Sequence, residues 1–197
     1  MEVVLQLDLG VTGQGSAEGI TYIPSSGNNG KGSLCVDRGL GQLELFDLPP
    51  QDRILETNTK LVRKDGFNKR AIAENLSDGK VASLFHFEGV LYVLFDNDKV
   101  LRSFDIESGE MISEMPLPKV SQKGASKQWE GIAIHRHTSN FAPLDEDPTY
   151  LRNGKTKSSQ TKVIVHLALD SPPQLWSFSV EEQGRGKLAF PDCAGTN

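Results

Sequence analysis

Apolar positions along this chain come in short runs, alternating or continuous, each closed by glycine, asparagine, aspartate or proline. A period of two places alternate side chains on opposite faces, so these runs predict strands. No segment carries convincing helical periodicity. Strands are expected over residues 3–9 (VVLQLDL), 19–23 (GITYI), 33–36 (SLCV) and 42–48 (QLELFDL), with another at 54–62 (ILETNTKLV). Between the second and third, SSGNNGKG reads as a turn, because Gly and Asn tolerate positive φ. The series then restarts at residues 81–87 (VASLFHF), 90–95 (VLYVLF), 100–106 (VLRSFDI) and 110–117 (EMISEMPL), joined by the tight turns EG, DNDK and ESG. That is an antiparallel meander. A third round holds 130–135 (EGIAIH), 162–169 (KVIVHLAL) and 174–180 (QLWSFSV), with 186–192 (GKLAFPD) as a poor closing strand. Residues 138–160 are polar and charged and read as a surface insertion between two strands.

The three rounds superpose. Their third strands align as LELFDL, LRSFDI and LWSFSV on Phe46, Phe104 and Phe178. An aspartate precedes each phenylalanine, Asp96 and Asp170 by eight residues and Asp37 by nine. Glu-Gly-Ile opens the first strand in two rounds, at Glu18 and Glu130, while Ala82-Ser83-Leu84 fills those positions in the middle one. Four-strand units repeated at this spacing are the pattern of propeller blades. The fold class is therefore all-β, with about three four-stranded meanders as propeller blades in one partial domain over residues 1–197. In such a blade the first strand is innermost. Its glycine would permit close approach of the neighbouring blade, and Ile20, Leu84 and Ile132 would pack between blades. A partial ring would need another copy or the missing blades to complete it, since it leaves open sheet faces; a truncated fragment without activity of its own is the other reading.

Composition narrows the partners. The 197 residues are 37% hydrophobic and 24% charged, with net charge −5 and no basic block, which argues against nucleic acid. No apolar run approaches the roughly 20 residues that span a bilayer, and MEVVLQLDLG has no basic region before its apolar residues, so it does not read as a signal peptide. Two cysteines, Cys35 and Cys193, make neither a disulfide framework nor a metal knuckle; Cys35 reads as buried and inert.

The segments AEGITYIP, GVLYVLFDNDKVLRSFDIESGEMISEMPLP, WEGIAI and LWSFSV, in this order and blade spacing, resemble the SdiA-regulated family and the wider phytase-like and esterase-like propellers. The resemblance covers most of residues 3–180 outside the insertion. It implies a six-bladed propeller, of which the three meanders here would make half, an exported or envelope-associated setting and a divalent ion near the channel. It leaves the activity open between a ligand- or partner-binding scaffold and a metal-dependent hydrolase of phosphoesters or lactones.

Glu18 and Glu130 are the candidate metal ligands, for a hard cation such as Ca²⁺ that takes several oxygen donors. The alternative is that they accept backbone N–H groups at the strand starts. Asp37, Asp96 and Asp170 sit in turns, where aspartate usually accepts local N–H bonds. DND at 96–98 lacks the glycine and distal glutamate of a calcium loop. His135 and His137 fall on one side of an extended segment, and His86 and His166 are lone strand histidines; all four read as structural or exposed. Trp129 and Trp176 read as packing between blades. No nucleophile elbow, phosphate loop or dinucleotide fingerprint is present, and no general base can be named.

Overall fold

The computed structural model describes residues 7–8, 19–25, 32–37, 43–48, 59–64, 72, 81–118, 128–139, 160–170 and 173–190. Every element with described bounds is a β-strand. Three four-stranded antiparallel sheets account for nearly all of them. The first holds β2 (Gly19–Ile23), β3 (Ser33–Asp37), β4 (Leu43–Asp47) and β6 (Val62–Lys64). The second is β7 (Val81–Phe87), β8 (Val90–Phe95), β9 (Val100–Asp105) and β10 (Met111–Pro116). The third is β11 (Trp129–Ser139), β12 (Gln160–Leu169), β13 (Gln174–Gly184) and β14 (Lys187–Ala189). β1 (Leu7–Asp8) belongs to none of these. It pairs in parallel with β5 (Thr59–Lys60), rather than lying at the outer edge of a meander.

β8 of the middle sheet is buried on both faces, which is why VLYVLF is a continuous apolar run. Leu91, Val93 and Phe95 point into a cluster with Cys35, Leu43 and Leu45 of the first sheet. Val90, Tyr92 and Leu94 point the other way, into a cluster with Ile132, Ile134, Val165 and Leu167 of the third. A strand covered on both sides has no polar face to keep. In β12 the pattern differs. Val163, Val165, Leu167 and Leu169 are buried toward the middle sheet, while Ile164, His166 and Ala168 stay partly open.

The sheets approach one another through their first strands, with β7 between β2 and β11. A Cβ on Gly19 would lie 2.9 Å from Leu84 Cγ and 3.0 Å from Leu84 N, so the glycine expected to allow close approach does so at this junction. A Cβ on Gly131 would meet only Ala168 Cβ, at 3.4 Å within its own sheet. Leu84 and Ile132 pack between sheets as expected. Ile20 does not: it is 56% exposed, on a face that no described sheet covers.

Strand boundaries also move. β11 and β12 continue through Thr138↔Thr161 and Ser139↔Gln160, so the ends of the expected insertion are strand. Backbone pairing carries a hairpin past the last apolar residue because the ladder bonds need no particular side chain. The remainder of the insertion, residues 140–159, lies outside the described residues. The first sheet takes its fourth strand from residues 62–64, at the end of and beyond the expected strand at 54–62.

Candidate functional site

A cleft of about 820 Å³ opens where the three sheets meet at one end. Its walls come from β2 (Tyr22, Ile23), the β7–β8 hairpin (Phe85 to Val90), the end of β9 with its following turn (Asp105 to Glu107), Ile134 of β11 and Arg185 of the β13–β14 turn.

The hairpin that forms one wall has only two turn residues, Glu88 (φ 49°) and Gly89 (φ 88°). Both being left-handed matches the twist of the flanking strands. His86 fixes it: Nε2 accepts from Gly89 N at 3.0 Å, so its proton sits on Nδ1. The backbone N–H of His86 donates to Thr21 Oγ1 at 2.8 Å, tying the first sheet to the second. Burial lowers the imidazole's pKa from its ordinary 6.5. The neighbouring turn is held by Asp105, whose carboxylate accepts from Ser108 N (2.9 Å), Ser108 Oγ (3.1 Å) and Glu107 N (3.1 Å). The Ser108 amide bond is the main reason its pKa is lowered.

Arg136 locks the third sheet to this hairpin. Its guanidinium donates to both carboxylate oxygens of Glu88 and, at 2.6 Å, to those of Glu182, and lies 5.2 Å from the Phe87 ring centre. Burial pushes Glu182 up, but Arg136 and the Gly186 N–H at 2.9 Å together bring its carboxyl below the usual range. Gly186 has φ 72°, and a Cβ there would come within 2.5 Å of Phe87 O. Tyr92 donates to Gly186 O at 2.6 Å, and burial raises its hydroxyl's pKa. Strand alternation could have found Arg136. If His135 and His137 face outward, Arg136 faces the neighbouring sheet, where a cation needs carboxylates.

The residues singled out from sequence are distributed as follows. Glu130 is exposed, in the bulge between Trp129 and Gly131 at the start of β11. Glu18 lies outside the described residues, as does Cys193. Among the described residues no group of three or more His, Cys, Asp or Glu side chains is placed to share a cation. Asp96 accepts from Trp129 N at 2.7 Å and from Lys99 Nζ at 2.5 Å, so the first of these bonds runs to the next sheet rather than within the turn. Asp37 is fully buried, and Asp170 is exposed. Cys35 is buried, and burial, then the Asp37 charge, pushes its thiol up to about 12. Trp129 is buried between sheets and meets the half-exposed Trp176 edge-on at 6.3 Å. His135 stacks on His166 at 5.1 Å on the outer face of the third sheet, and His166 Nδ1 shares a hydrogen bond with Ser177 Oγ at 2.7 Å. Sequence separation hid that pairing; the β11–β12 register creates it. Their rings lie 11° from parallel, so one ion cannot lie in the plane of both rings when they are stacked face to face.

Neither a protein-family model nor a curated protein matches the chain.

Proposed function

We propose that this chain is a β-propeller module of the SdiA-regulated and phytase-like type, serving as a ligand- or partner-binding scaffold, with the cleft as its binding site. The observation that supports this best is the cleft's construction. Its walls come from three sheets, its lining mixes aromatic and aliphatic side chains with a few polar groups, and its size is in the range of small-molecule sites. Three polar groups of its walls are committed to structure: His86 to Gly89, Asp105 to its turn and Glu88 to Arg136. A preformed wall of this kind suits recognition. Another copy or further blades would cover the outer sheet faces.

Amide chemical shifts of the labelled protein, followed against a panel of organic acids, amines, sugars and short peptides, test the reading. Binders should perturb residues 85–90 and 105–107. Perturbations confined to other surfaces by every binder found would refute it. On the family resemblance, Glu18 and Glu130 would contribute oxygen donors to Ca²⁺, and calorimetric titration of the wild type against Glu18→Gln/Glu130→Gln tests that part. Equal heats would remove it.

A further inference from the structure

Two walls of the cleft are joined at the two-residue turn of the β7–β8 hairpin, and Gly89 uses both of its backbone groups to do it. Its N–H donates to His86 Nε2 at 3.0 Å, and its carbonyl accepts from Ile106 N, in the turn after β9, at 3.0 Å. His86, Gly89 and Ile106 all line the cleft. Glu88, just before Gly89, holds φ 49°, a left-handed conformation that a residue other than glycine keeps only where its surroundings fix it.

The acceptor in this turn is an imidazole. Of the side chains that can accept an amide proton, it is the one that ordinarily loses that capacity between pH 5 and 8. Neutral, with its proton on Nδ1, His86 offers the Nε2 lone pair to Gly89. Protonated, it carries N–H groups at both nitrogens, and two donors then face each other across 3.0 Å. The attraction becomes a repulsion.

The titratable and charged groups that share the cleft with His86 come from every wall. They are Tyr22 from β2, Glu88 from its own hairpin, Asp105 and Glu107 from the turn after β9, and Arg185 from the β13–β14 turn. Arg136 neutralises Glu88, and Asp105 is spent on its own turn. Burial, which disfavours the imidazolium, prevails on His86, so the neutral, bonded form is the resting one at pH 7.

We propose that His86 is a proton-operated latch on the cleft: at neutral pH its ring holds Gly89, and its protonation releases Gly89, loosens the Ile106 bond and frees the hairpin wall from Phe87 to Gly89. The consequence for ligand binding rests on the proposed reading of the cleft. The release does not, and it is measured without ligand, so a cleft that binds nothing would leave it standing.

Amide and imidazole spectra of the labelled, ligand-free full chain from pH 7.5 to 5 test it. The His86 ring should titrate with a midpoint below its ordinary 6.5. The Gly89 and Ile106 amide protons should move upfield with that same midpoint, while Leu91 to Leu94 in the core stay in place. His86→Gln keeps an acceptor that does not titrate, so its Gly89 shift should be flat across the range. His86→Phe removes the acceptor and should show the released position of Gly89 already at pH 7.5. His135→Gln, on the outer face of the third sheet, should leave the wild-type curve unchanged. If both His86 variants fail to fold, the wild-type midpoints decide alone. A His86 ring that stays neutral down to pH 5, a Gly89 amide that does not follow the ring, or an equal titration of Gly89 in His86→Gln overturns the proposal.

Discussion

The two Glu-Gly-Ile glycines should respond oppositely to alanine. In a strand, replacing glycine by alanine ordinarily stabilises by about 0.5–1 kcal/mol, because the unfolded chain loses freedom. At Gly131 that gain should survive, since the new methyl meets Ala168 Cβ at an ordinary 3.4 Å. At Gly19 the methyl would sit 2.9 Å from Leu84 Cγ, 3.0 Å from Leu84 N and 3.2 Å from Ser83 C. Two of those three are backbone atoms, so a rotamer change of Leu84 cannot clear the contact and the first two sheets must separate slightly. Overpacking of this kind costs about 1–3 kcal/mol, which outweighs the entropic gain. Gly19→Ala should thus be destabilised by about 1–2 kcal/mol, near 2–8 °C in melting temperature for a chain of this length. Urea unfolding of wild type, Gly19→Ala and Gly131→Ala, with unchanged m-values, measures it. Adding Leu84→Ala should relieve the Gly19→Ala penalty only in part, because the backbone contacts remain. A Gly19→Ala variant as stable as wild type, or a Gly131→Ala variant equally weakened, would show that glycine is not what permits the close junction.

Three further outcomes follow from individual side chains. Asp96→Ala removes the acceptor of the buried Trp129 N–H and should cost about 1–3 kcal/mol, whereas Asp96→Asn, which retains a carbonyl oxygen, should cost less; equal losses in urea titrations would contradict this. Cys35, with its thiol held near 12, should react with a disulfide reagent at pH 8 only as fast as the protein unfolds, in a Cys193→Ser background, and a rate independent of denaturant-set stability would refute its burial. His86 has a folded pKa below 6.5, so the unfolded chain binds the extra proton. Its share of stability is complete above pH 6.5 and is lost as pH falls through the folded value, and His86→Gln should flatten that slope in unfolding titrations between pH 7.5 and 5.

The meanders were legible because their turn chemistry is local. Glu88-Gly89 between two apolar runs specifies a tight hairpin, and both residues take left-handed φ. Which faces of the outer sheets are covered was not legible. Periodicity states that Ile20 and Tyr22 share a face, but only tertiary packing decides whether anything lies on it, and both are about half exposed. Gly19 and Gly131 stand in the same sequence motif, yet only one lies against a neighbouring sheet. The cleft escaped the sequence altogether, since its lining spans Tyr22 to Arg185 and no member is unusual for its own strand or turn.

Apolar clusters hold these sheets together without fixing how they align, because hydrophobic contact is not directional. Alignment comes from a few polar bonds that cross between sheets. The His86 N–H to Thr21 bond sets the first against the second. Asp96 with Trp129 N, and Arg136 with Glu88, set the second against the third from separate parts of the middle sheet. Two of these three bonds lie at the cleft, where His86 and Glu88 form part of its lining. Removing Arg136 takes a cation from between two carboxylates that are only partly buried, so global stability should change little while the cleft's third wall loses its anchor. The residues that shape the binding surface are in this way separable from those that hold the core, and affinity at the cleft can change without a matching change in fold stability.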